Sequence, residues 1–132
     1  MGHSNVAYSF EKKNYSDMKF STSLKKNEDF RRVYKTGKSY AHQFMVLYVA
    51  ENHLPENRLG ISVSKKVGNS VVRHHLCRLV RESYRLHESM FNSGLDMVVL
   101  CRVSASTATY ADVEKSLMHL AKLHKILNNK EV

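Results

Sequence analysis

Between Arg58 and Arg85 the chain carries seven fixed positive charges, Arg58, Lys65, Lys66, Arg73, Arg78, Arg81 and Arg85, against a single acid, Glu82. Arginine stays protonated throughout the working pH range, and its planar fork matches phosphate oxygens. The chemistry this stretch offers is therefore the binding of a polyanion. His74, His75 and Cys77 interrupt the run and invite a metal or acid–base reading. Adjacent histidines on a helix point about 100° apart, so they do not converge on one ion. His75 and Cys77 are poorly placed for joint ligation, and tetrahedral zinc would need ligands from elsewhere. A general acid–base role for His74 or His75 has no converging partner in the sequence. No His-Glu-x-x-His motif occurs, and Lys65 to Ser70 lacks the glycine spacing of a P-loop. Glu28, Asp29, Asp96, Asp112 and Glu114 sit mainly near element ends, with no spacing that pairs them. The residues point to binding rather than to catalysis by the protein itself.

The elements that position these charges follow from periodicity. Leu59, Ile61 and Val63 alternate with Gly60, Ser62 and Ser64, the pattern of a half-buried strand. Lys65 to Ser70 breaks the alternation, and Asn69 or Ser70 can cap the helix that follows. Projected at 100° per residue, Val72, Leu76, Leu79, Ser83, Leu86 and Met90 share one side. His74, Arg78, Arg81 and Arg85 share the opposite side, with Arg73 and His75 on the flanks. A solvated helix face normally mixes the two signs of charge. This one does so only through Glu82. The candidate nucleic-acid contacts are thus Lys65, Lys66, Asn69, Arg73, His74, Arg78, Arg81 and Arg85. The histidines would gain protons beside phosphate.

Around this unit the chain reads as helix, two adjacent strands, helix, strand, helix. Asn27 is the expected N-cap of the first helix, with Glu28 and Asp29 in its first turn and Gly37 closing it. Phe30, Val33 and Tyr34 share a face. Residues 38–50 read as one strand, apolar on both faces, and residues 51–57, with the only proline, as a turn. Met97 to Cys101 is a continuous apolar run that suits an interior strand, with Cys101 a small buried hydrophobe. Thr109 and Asp112 form a capping box ahead of a stripe of Val113, Leu117, Leu120, Ala121, His124 and Leu127. A small α/β sandwich follows, one sheet covered by helices. Phe30, Tyr34 and Tyr48 could form an aromatic cleft beside the cations, the pattern of single-strand binding.

With 132 residues and a net charge of +9, the expectation is one domain drawn to polyanions. Residues 1–17 show no sustained period and read as an extension, poorly ordered or non-native, with a single domain over 18–132. No run reaches the roughly 18 apolar residues of a membrane span. The N-terminus does not resemble a secretory signal, and Cys77 and Cys101 make no disulfide framework. A reducing cytoplasm is the expected compartment.

Three motifs resemble the protein subunit of bacterial ribonuclease P: Leu24 to Phe30 with Val33 to Gly37, Arg58 to Arg73, and Arg78 to Glu82. The resemblance covers roughly residues 18 to 128. It implies a two-layer sandwich with a mixed sheet of about four strands, three helices and a left-handed strand–helix–strand crossover. It also implies that a large RNA performs phosphodiester cleavage with Mg2+, while the protein binds that RNA and the 5′ leader of precursor tRNA. No cofactor bound by the protein and no protein partner are implied. Phe30, Tyr34 and Tyr48 match the family's leader cleft, and the helix from Ser70 matches the face toward the catalytic RNA. The chain departs where the family carries Arg-Asn-Arg and a following lysine. Here Arg73-His74-His75 and Cys77 stand instead, which implies fewer fixed charges and greater pH sensitivity.

Overall fold

The structure is a computed structural model that describes the backbone of residues 5–7 and residues 18–128 in full. Six strands form one sheet: β1 (Asn5–Ala7), β2 (Ser21–Ser23), β3 (Lys38–Ala41), β4 (Met45–Glu51), β5 (Asn57–Ser64) and β6 (Leu95–Cys101). Three helices accompany them: α1 (Asn27–Thr36), α2 (Ser70–His87) and α3 (Tyr110–His124). The sheet order is β1-β5-β6-β4-β3, and β2 also pairs with β5. β5 and β6 run parallel, joined through α2, while β4 is antiparallel to β6. The sheet is mixed, as expected, with two three-residue strands added at the β5 edge. One of them, β1, lies inside the segment expected as an extension; the remainder of residues 1–17 falls outside the described residues.

Two expectations change. Residues 38–50 are not one strand but a hairpin of β3 and β4, closed where the His42 N–H donates to the Met45 carbonyl at 2.9 Å. β4 and β5 follow one another in the chain, yet β6 lies between them. β6 bears the strand cost of this arrangement: six of its seven residues are buried, as suits a strand covered on both faces. On one face Met45, Leu47, Leu59, Ile61, Val63, Met97, Val99 and Cys101 meet α2 and α3 in the main core. On the other, Leu24, Phe30, Val33 and Val98 form a small cluster under α1.

The caps are partly as read. The Asn69 carboxamide oxygen accepts the Val72 N–H at 3.0 Å, and Thr109 with Asp112 completes a capping box. Asn27 is instead the first helical residue of α1, and Lys26 at the cap gives no side-chain bond. Gly37 does not take a left-handed turn, since its φ is −81°. Its need for hydrogen is steric: a Cβ there would stand 2.6 Å from the Val33 carbonyl oxygen and 2.9 Å from that of Val49.

Gly60 serves α1 in the same way. A Cβ at Gly60 would lie 2.6 and 2.8 Å from atoms of the Phe30 ring, so the missing side chain is what lets Phe30 rest on β5. Overpacking of this kind costs about 1–3 kcal/mol. Gly60→Ala is expected to lower the urea unfolding midpoint accordingly, and Phe30→Leu in the same chain to recover part of the loss.

Candidate nucleic-acid interface

α2 is the expected basic helix, but it is rotated about its axis. Its buried residues are Leu76, Cys77, Val80, Arg81, Ser83 and Tyr84. Val71 is 74% exposed and Leu86 55%, although Leu86 reads as part of the apolar stripe. Tyr84 marks the true inner face. Its hydroxyl bonds Ser21 Oγ at 2.6 Å, with the Asn57 amide at 3.4 Å, so the whole ring can be buried. Aromatic burial of this size outweighs a single leucine.

The rotation divides the expected contacts. Lys65, Lys66, Asn69, His74, His75 and Arg78 are exposed. Arg73 is half-buried and donates to the Gly68 carbonyl at 2.8 Å, bracing the turn that presents Lys65 and Lys66. Arg85 is half-buried and forms a forked ion pair with Glu82. Arg81 is corrected outright. It is 6% exposed, with its guanidinium 3.6 Å from the Met18 sulfur, so it does not stand on the outer stripe. Met18 is held there because Glu88 accepts the N–H groups of Lys19 at 2.9 Å and Phe20 at 2.7 Å.

Cys77 is fully buried, and burial pushes its thiol well above the ordinary range. Cys101 is pushed up to about 12 for the same reason. The position where the family resemblance implies a lysine is therefore core in this chain.

The aromatic cleft lies on the opposite face of the sheet from α2. Pairing places Tyr48 beside Val98 and Val46 beside Leu100 on β4 and β6, with Gly60 and Ser62 of β5 completing these two rows. Tyr34 meets Tyr48 edge-on at 4.9 Å, and Phe30 lies 6.4 Å from Tyr34. Tyr34 and Tyr48 are half-buried and present ring surface. Phe30 is buried and supports the cleft from beneath instead of offering a stacking face. Burial raises the Tyr34 phenol, while the Ser62 hydroxyl pulls the other way without reaching bonding geometry. Lys35 of α1 is exposed, whereas Lys38 stands over the Tyr40 ring on the α3 side of the sheet, away from the cleft.

At its other end the cleft is closed by a carboxylate with no partner close to it in sequence. Asp96 is fully buried on β6. Arg58 donates to both its oxygens, from Nε at 2.8 Å and from its terminal nitrogen at 2.7 Å. Asn52 donates at 2.9 Å, and Arg32 of α1 supplies a further short bond. Asp29 braces both arginines at 3.7 and 3.8 Å. Burial alone would raise the Asp96 carboxyl, but the bonds from Arg58, Asn52 and Arg32 outweigh it and hold it below the usual range. Arg58 is thus neutralised within the protein and is not one of the outward charges. No group of three or more His, Cys, Asp or Glu among the described residues converges to hold a metal, and none of their helices is long and apolar enough to cross a membrane.

A family model described as Ribonuclease P matches residues 18–125. The ribonuclease P protein component of Lachnoclostridium phytofermentans is 57% identical over 111 residues, covering 84% of this chain and 96% of that protein. The Staphylococcus aureus RNase P protein superposes with a TM-score of 0.75 at 39% identity, covering 83% of this chain and 99% of the other. That of Thermotoga maritima gives 0.71 at 31% identity, over 76% and 96%.

The depressed Asp96 carboxyl sets a pH dependence. A group whose folded pKa lies below its unfolded value stabilises the fold above the unfolded pKa, and that stability is lost as pH falls through the folded one. The stability advantage of the native chain over Asp96→Asn is therefore expected to be full at pH 7. It should shrink as pH drops below the ordinary aspartate value, read by urea unfolding at a series of pH values.

Proposed function

The chain belongs to the ribonuclease P protein family, and from that premise we propose that it binds the catalytic RNA of ribonuclease P through α2 and its preceding turn, and the 5′ leader of precursor tRNA through the Tyr34–Tyr48 cleft. The RNA subunit, with Mg2+, cleaves the phosphodiester bond and releases the mature 5′ end. The protein contributes charge and placement. The observation that carries this reading is the division of the two surfaces by the sheet, exposed cations on one side and half-buried aromatic rings on the other.

Lys65, Lys66 and Arg78 are the fixed cations of the RNA face, with His74 and His75 beside them. Each phosphate contact releases condensed counterions, so affinity falls with salt in proportion to their number. In the cleft a base stacks on Tyr34 or Tyr48, an interaction that tolerates any base and suits leaders of varied sequence.

Reconstitution with the partner RNA tests the whole reading: the protein should permit 5′ processing at Mg2+ concentrations where the RNA alone is slow. No gain over RNA alone would remove it. Arg78→Ala should weaken RNA binding and reduce the slope of log affinity against log salt by roughly one. Arg81→Ala should leave that slope unchanged while lowering the unfolding midpoint, since its side chain is inside the fold.

A further inference from the structure

We propose that Asp96 is a positioning residue for precursor recognition: by gripping Arg32 of α1 and Arg58 of β5 together, it sets the gap in which Tyr34 faces Tyr48. The geometry of the gap follows from how little else holds α1. The helix has ten residues, and only Phe30 and Val33 are buried from it. Its apolar support is the small cluster with Leu24 and Val98, while the main core lies across the sheet. The clamp is the polar half of that attachment. Three separate elements donate to one carboxylate: α1 through Arg32, β5 through Arg58, and the β4–β5 turn through Asn52. Arg32 lies between Phe30 and Tyr34 in α1, so its bond to Asp96 anchors the helical segment that carries both rings.

The charges balance locally. Asp29 and Asp96 face Arg32 and Arg58, which leaves no net attraction for phosphate at this end of the cleft. The network therefore acts through placement and not through contact with RNA. Charge-assisted bonds to a desolvated carboxylate are strong and directional, which suits a device that must hold a ring within a fraction of an ångström. Arg32 reaches Asp96 with one nitrogen and Arg58 with two. A lysine can replace the first contact but not the second.

This inference rests on the leader-cleft reading for its functional consequence, but its geometric half can be read without RNA. In 3-fluorotyrosine-labelled protein, Arg32→Ala should move the resonances of Tyr34 and Tyr48 and leave those of Tyr84 and Tyr110 in place. Arg32→Lys should return them toward the native positions. In the holoenzyme, Arg32→Ala should raise KM roughly 3- to 10-fold for a precursor with a long leader. It should leave kcat, affinity for the catalytic RNA and KM for a one-nucleotide leader unchanged, and Arg32→Lys should restore KM. Asp96→Asn should act in the same direction; if it fails to fold, Arg32→Ala carries the test. Unmoved Tyr34 and Tyr48 resonances in Arg32→Ala would overturn the proposal, as would an equal KM increase for both leaders. A native holoenzyme indifferent to leader length would instead overturn the cleft reading, and the tyrosine resonances would still decide the geometry.

Discussion

β6 must be buried on both faces, and the rest of the molecule is arranged to meet that demand. It lies between an antiparallel neighbour and a parallel one, and all its residues but Leu100 are buried. Met97, Val99 and Cys101 are covered by two long helices. Val98 and Asp96, on the reverse, have only the short α1. The coverage is unequal, and the surface left uncovered on the α1 side is the cleft. Completing that cover would stabilise the sheet and abolish the site.

The same asymmetry explains where the charge goes. α2 is packed against both β5 and α3, so it turns Tyr84 and Cys77 inward and takes Arg81 partly with them. What remains outside is a narrower basic face than the seven cations between Arg58 and Arg85 imply. Arg58 is committed to Asp96, Arg73 braces the Gly68 carbonyl, Arg81 is covered beside Met18, and Arg85 is paired with Glu82. Lys65, Lys66 and Arg78 stay outward. The charge on this face is set by packing as much as by composition.

Periodicity and capping chemistry made most of the fold legible. Asn69 and Thr109 cap the helices they should, because their bonds are local and need no tertiary partner. The hairpin at residues 42–44 was illegible because it contains no glycine, proline or Asn-Gly pair to announce it. α2 was misaligned because a helical projection weighs Leu86 and Tyr84 alike, while burial of Tyr84 depends on Ser21 and Asn57, far away in the chain. Asp96 was hidden for the same reason. At the start of an apolar run a lone acid reads as the end of a turn, and only the fold brings Arg32, 64 residues distant, against it. The cleft's aromatic members were legible from their types and spacing and matched the family resemblance, but neither could tell that Phe30 lies beneath the surface it helps to form.

The outer side of β5 has a consequence of its own. β2 occupies it along Asn57–Leu59 and β1 along Ser62–Ser64. The sheet's opposite margin, β3, is only four residues long and carries the exposed Lys38. Open strands recruit other strands, and proteins suppress this with short, charged or occupied margins. A molecule so strongly cationic is crowded together whenever many copies gather on one polyanion. With one margin of the described sheet occupied and the other short and charged, such crowding finds little template for cross-chain strand addition.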